Sequence, residues 1–113
     1  MTHKMKLRPH PFFMIKSGLK TIELRLYDEK RQQLQVGDTL LFANTETEEE
    51  LSAKIAALHR FESFKELYSA LPLEKCGYLP EEIETASYKD MEEYYSKEEQ
   101  GKYGVVGIEL ILQ

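Results

Sequence analysis

The alternation of apolar and polar positions divides the chain into short segments with two different periods. "HKMKLR" at 3–8 alternates and predicts a short strand. "PHPFFMIKSG" at 9–18 opens on prolines, which suit the first helical turn, and ends on Gly18, well placed to stop a helix in the left-handed conformation. Phe12, Ile15 and Leu19 would then share one helical face toward the core. "KTIELRLY" at 20–27 alternates again and predicts a strand. A helical turn in "DEKRQQL" and a largely buried strand at 36–44, starting from a Gly-Asp turn, follow it. "ELSAKIAALHRF" at 50–61 carries both signals, because Ala53, Ala56 and Ala57 favour helix while Leu51, Ile55, His59 and Phe61 fit period two; a strand is expected.

In the second half, Ser63 and Glu66 form a capping-box pattern that predicts a helix of about two turns at 63–71, stopped by Pro72. Two more such patterns, Ser87 with Asp90 and Ser96 with Glu99, predict short helices within 80–104, with glycine stops at Gly101 and Gly104. The closing "YGVVGIELILQ" at 103–113 is rich in β-branched residues and long enough for a central strand. Strands of scattered order with short helices between them predict an α+β fold, and the lack of βαβ spacing argues against a doubly wound sheet. A small, mixed-strand β-barrel filling one domain, 1–113, is the expected architecture.

Composition bounds the rest. A chain of 113 residues can close one hydrophobic core but not two independent ones. No stretch approaches the roughly 18 uncharged apolar residues of a membrane helix. No apolar segment follows Lys4, Lys6 and Arg8, so no secretory signal is expected and a cytoplasmic location is the default. The single cysteine, Cys76, allows no internal disulfide, and no Cys/His spacing suggests zinc. The carboxylates at 81–99 show no ligand pattern and read as solvated helix faces. No metal, cofactor or membrane partner is therefore expected.

The net charge of −5 is unevenly spread. Residues 1–31 hold eight Lys/Arg against three acids, while the other 82 hold seven against seventeen. Both a solvated basic edge and an anion-facing surface fit this asymmetry. The strand at 20–27 sharpens the choice. Its period puts Ile22, Leu24 and Leu26 on one face and Thr21, Glu23, Arg25 and Tyr27 on the other. On an open surface Glu23 and Arg25 would make an ion pair worth under about 1 kcal/mol. Lining a cleft, Glu23 could accept hydrogen bonds or hold Arg25, Arg25 could offer its planar fork to a phosphate or base edge, and Lys20 would add a charge at the mouth. Tyr27 could add a stacking surface, although strand tyrosines are more often packed. Lys20 and Glu23 could also form an acid and base pair, but a binding cation is the simpler role for Lys20.

"GLKTIELR" fits the pattern G-x-K-x-x-E-x-R, and on this stretch the chain resembles ASCH domains (activating signal cointegrator homology). "MKLRPHPFFMIKSG" before it, "LQVGDTLLF" after it and the closing "YGVVGIELIL" extend the resemblance over nearly the whole chain, with 45–100 the least diagnostic part. The resemblance implies a barrel related to PUA domains, with a cleft beside the motif for RNA or a small nucleotide-type ligand. Lys20, Thr21, Glu23, Arg25 and Tyr27 would be the ligand-binding set. Some ASCH proteins are amidohydrolases that deacylate N4-acetylcytidine with a lysine, a threonine and a glutamate, and others are ribonucleases. Lys20 matches the lysine of those amidohydrolases, whereas Glu23 stands where they have threonine, and Thr21 is one residue after the lysine rather than three. If the chain is an enzyme, Lys20 and Glu23 are the candidate catalytic pair. A third possibility is an interaction module without a small ligand.

The remaining candidates read as structural. His10 before a helix and His59 in a strand suit packing or capping better than catalysis, and His3 lies near a fraying terminus. Tyr88, Tyr94, Tyr95 and Tyr103 are many for one segment; a base-stacking rim is conceivable, with core packing the simpler account.

Overall fold

A computed structural model describes all residues, Met1–Gln113. Five strands, β1 (Thr2–Leu7), β2 (Ile22–Leu26), β3 (Thr39–Asn44), β4 (Glu50–Phe61) and β5 (Val105–Leu112), form one sheet in the order β1-β3-β4-β5-β2. β1 runs parallel to β3, and every other pairing is antiparallel. The α+β expectation holds, and the sheet curls into a half-barrel whose two edge strands are β1 and β2. Three short α-helices, α1 (Pro9–Lys16), α2 (Phe64–Ala70) and α3 (Lys97–Tyr103), and four 3-10 turns fill the connections. None of these helices is long and apolar enough to cross a membrane.

Two apolar layers use the sheet's two faces. Inside the curl, Phe12 and Ile15 of α1 pack with Met5, Leu7, Leu40, Phe42, Ile55, Val106 and Ile108. Outside, Ile22, Leu24 and Leu26 of β2 meet Phe64 and Leu67 of α2, with Tyr88, Tyr95 and Tyr103 packed around them. The core role foreseen for those three tyrosines is therefore met. Cys76, unpaired and buried, belongs to the same outer layer.

Several local expectations need correction. Leu19 is half exposed rather than inward-facing. The helix ends at Lys16 and Gly18 takes φ +84°, so the chain turns before Leu19 can continue the stripe of Phe12 and Ile15; Met14 is buried instead. β2 is shorter than 20–27, because the amides of Lys20 and Thr21 donate to the carbonyls of Met14 and Lys75 and leave the ladder. The alternation in β4 is broken by a bulge between Ile55 and Ala57. Leu51 and Ile55 pack inward before it, and Leu58 takes over that face after it while Phe61 joins the outer layer. His3 is not frayed: its Nε2 lies 2.8 Å from Asp38 Oδ2, within β1.

Gly101 lies inside α3, and Gly104 alone stops that helix. Gly104 adopts φ +73° and ψ −175°, a region open essentially to glycine only, and an added Cβ would sit 3.0 Å from the Phe61 carbonyl oxygen. Gly104→Ala should therefore lower stability in urea unfolding by about 1–3 kcal/mol. Gly101→Ala, with nothing within 4 Å of its added Cβ, should raise it by about 0.5–1 kcal/mol.

Candidate functional site

The edge strand β2 builds the site because its two faces are buried for different reasons. In the β2–β5 register Glu23 stands opposite Ile108 and Arg25 opposite Val106, both residues of the inner layer, so the two charged side chains share the concave face. Only 4% of Glu23 is exposed, which rules out the open-surface ion pair. Its carboxylate is compensated on both oxygens. Lys20 Nζ lies 2.8 Å from Oε1, while Arg25 reaches Oε2 through Nε at 2.9 Å and its terminal nitrogen at 2.8 Å. That terminal nitrogen also donates to the Lys6 carbonyl on β1 at 3.0 Å. The guanidinium thus spans the gap between the two sheet edges.

Electrostatics follow from this geometry. Burial pushes the Glu23 carboxyl up, but the charges and hydrogen bonds of Lys20 and Arg25 outweigh it and hold the group below the usual glutamate value. Burial likewise opposes the Arg25 charge, and Glu23 more than offsets it, leaving the guanidinium raised. Glu23 is therefore a fixed anion at neutral pH with no free oxygen, a poor proton acceptor. Lys20 keeps two further N–H donors.

The stem of Lys20 lies against Gly77, where an added Cβ would be 3.2 Å from its Cδ. Gly77 ends the 3-10 turn Leu73–Cys76 in the left-handed conformation, and the same turn accepts the Thr21 amide at the Lys75 carbonyl. The connection after α2 is thus clamped onto the start of β2, which fixes Lys20 over Glu23.

Lys20, Glu23 and Arg25 line a cleft of about 550 Å3. Arg8, His10 and Pro11 flank it from the start of α1, and Tyr78, Tyr94 and Tyr95 from the segments after α2. Tyr95 stacks on Phe64 at 5.8 Å between ring centroids, and Arg8 sits over the exposed Tyr94 ring at 5.6 Å. Tyr68 and Tyr78 share a 2.8 Å hydrogen bond, and Tyr78 donates to Asp90 Oδ2 at 2.7 Å. Burial pushes the Tyr68 hydroxyl up to about 12 and raises Tyr78 and Tyr95 as well, so all three are neutral donors at ordinary pH.

Two of the five residues expected at the site lie elsewhere. Thr21 does not line the cleft; its backbone is committed to Lys75 and Leu110 at the junction with β5. Tyr27 lines a separate surface groove, packed under Arg60 at 4.3 Å and against the inner layer. Tyr27 keeps to the inner face, but it lies past the end of β2 beside Gly104, beyond the reach of the cleft. Sequence reasoning missed Arg8, Tyr78 and Asp90, and gave His10 and Tyr94 other roles. Asp90 caps Ser87 as its spacing predicts, but instead of standing solvated it also receives the Tyr78 hydroxyl. His59 is half-exposed beside Glu109 at 3.0 Å, away from the cleft.

Comparison with known proteins agrees with this architecture. The family model described as "ASCH domain" matches residues 5–112. The crystal structure of hypothetical protein PH0355 is similar over the whole of both chains, with 35% identity and a TM-score of 0.85. The solution structure of protein PF0455 from Pyrococcus furiosus is 33% identical over 99% of this chain and 97% of its own, with a TM-score of 0.73. The ASCH protein of Zymomonas mobilis shares the fold at 17% identity and a TM-score of 0.67, over 97% of this chain and 66% of its own. No match is found among curated proteins.

Removing one member of a buried charge cluster leaves the others uncompensated, so Glu23→Gln should cost about 3 kcal/mol of stability at pH 7. The folded-state carboxyl titrates below the 4.5 of free glutamate, so its contribution is complete above that pH and is lost as acid takes the pH through the lower value. Thermal unfolding followed from pH 7 to pH 3 should therefore show a shallower acid limb in Glu23→Gln than in the wild type. A residual slope will remain from Asp38, which the His3 hydrogen bond also holds low. Parallel limbs would mean that Glu23 is not the acid-sensitive group.

Proposed function

The chain belongs to the ASCH domain family, and from that premise we propose that it is a binding module for RNA or a small nucleotide-type ligand, held in the cleft over Lys20, Glu23 and Arg25. One observation carries this reading. The cleft is charge-balanced, with Lys6, Arg8, Lys20 and Arg25 facing Glu23, Glu82, Asp90 and Glu93. A cleft for a bare phosphate would be basic throughout. Interleaved donors and acceptors suit the edge of a nucleobase, which presents both, and an exposed ring such as Tyr94 offers its face for stacking.

The rival activity, hydrolysis of an N4-acetylcytidine-type nucleoside, has less support. Thr21 lies outside the cleft, and both oxygens of Glu23 are engaged by cations. Cys76 reaches the cleft wall, but burial pushes its thiol up to about 11, which leaves almost no thiolate at neutral pH. Nothing in the geometry favours a ribonuclease over a binder.

A thermal-shift screen against nucleosides, nucleotides and short RNAs tests the reading, because a ligand of the native state raises the unfolding temperature. At least one nucleobase-containing ligand should do so. Tyr94→Ala should weaken its binding by about 1–3 kcal/mol, the usual worth of a base–aromatic stack. No stabilisation by any of them would favour an interaction module instead. Acetate released from N4-acetylcytidine by the wild type but not by Lys20→Ala would favour the hydrolase.

A further inference from the structure

Arg25 lines a second opening. A groove of about 350 Å3 beside the β1–β2 gap has Lys4, Lys6, Arg25, Lys30 and Arg31 along its walls and only one acid, Glu50. Lys6 and Arg25 also line the cleft, so the two openings are neighbours that share this wall. Their chemistry differs sharply. The cleft is charge-balanced, whereas the groove has five cations to one carboxylate.

Not all five cations are already matched. Arg25 is held by Glu23 and Arg31 by Asp28, but Lys4, Lys6 and Lys30 enter none of the protein's ion pairs. Lys4 and Lys6 are two apart on β1 and share its outer face while Met5 between them is buried. Arg31 adds a further sign. Its Nε is the one buried side-chain polar atom in the protein without a hydrogen-bond partner, and the residue lines this groove. Buried donors are almost always satisfied, so the unpaired Nε marks a guanidinium whose hydrogen-bonding capacity the protein does not fully use.

We propose that this groove takes the phosphodiester groups of a single-stranded nucleic acid whose nucleoside occupies the adjoining cleft. The ligand is then a strand lying across the Arg25 bridge rather than a free mononucleotide. The proposal rests on the cleft being a nucleoside site. A strand fits the observations better than separate small ligands because the two openings lie on either side of a shared wall, Lys6 and Arg25, and divide the chemistry of one nucleotide between them. A duplex is disfavoured, since its bases are paired and stacked and cannot enter the cleft.

The test uses the intact protein and a labelled mixed-sequence hexaribonucleotide, with fluorescence anisotropy read across a salt series. Lys4→Gln with Lys30→Gln changes only the groove, since neither residue lines the cleft and both are exposed. Each lost phosphate contact should reduce the salt slope by about 0.7 and weaken binding roughly fivefold at 0.1 M salt. The thermal shift given by free nucleosides should be unchanged. Hexanucleotide affinity and salt slope that the double variant leaves untouched would overturn the groove assignment while keeping the cleft. Inorganic phosphate displacing the hexanucleotide at equal concentration would overturn the strand in favour of a free-phosphate site. Loss of hexanucleotide affinity in the double variant but none in Tyr94→Ala would keep the groove and overturn the cleft as nucleoside site. If no probe binds, both readings fall.

Discussion

A carboxylate placed on the inner face of a half-barrel is the constraint on which this structure turns. Removing Glu23 from water costs several kcal/mol, and only closely held opposite charges with satisfied hydrogen bonds can offset that. Lys20 and Arg25 supply them from three residues before and two after, one on each oxygen. Arg25 can do so only from the concave face of β2, and from there the terminal nitrogen that pairs with Glu23 also donates to the β1 carbonyl at Lys6. The edge strands are thus linked by a side chain where a closed barrel would have a backbone ladder. A lysine in place of Arg25 has no planar fork to divide between a carboxylate and a carbonyl.

That linkage explains why so much of the site was legible in one short stretch. The period-two pattern of 20–27 separates Ile22, Leu24 and Leu26 from Glu23 and Arg25, and the structure keeps that separation. What the pattern could not show is that both faces are covered. An alternating strand ordinarily reads as one face dry and one wet, and the layer that Ile22 and Leu24 meet, built by Phe64 and Leu67, comes from some forty residues later. The same blindness to distant packing hid the other cleft walls. Tyr78 and Asp90 meet through a hydrogen bond twelve residues apart in sequence, in a segment of 3-10 turns that has no clear period to read.

The capping patterns succeeded for the opposite reason. Ser87 with Asp90 and Ser96 with Glu99 form capping boxes within four residues, so no tertiary contact is needed to find them. Local rules failed where a distant partner intervened. Gly101 has the composition of a stop yet lies inside α3, because the left-handed turn is made by Gly104, whose carbonyl receives the Tyr27 amide at the end of β2. That hydrogen bond carries the β2–β5 pairing one step past Leu26, so Tyr27 stays on the inner face but sits beyond the cleft.

Because the same three charged groups hold the edge strands and floor the cleft, the structure limits what can bind there. A phosphate brought directly to Lys20 and Arg25 must compete with a carboxylate already satisfied at 2.8 Å on both sides, and separating them would leave Glu23 buried without compensation. A ligand that leaves the cluster intact meets the remaining N–H groups of Lys20, donors suited to an uncharged heteroatom, while the neutral hydroxyls of Tyr68 and Tyr78 spend their protons along the chain to Asp90 and offer only acceptor lone pairs. Full negative charge is better accommodated beyond Arg25, where Lys4 and Lys30 have no acid to displace. The excess of cations in residues 1–31 has its physical meaning here, since β1, β2 and the turn after β2 bring Lys4, Lys6, Lys30 and Arg31 to one side of the bridge. Charge concentrated along the sequence becomes a division of labour across a single guanidinium.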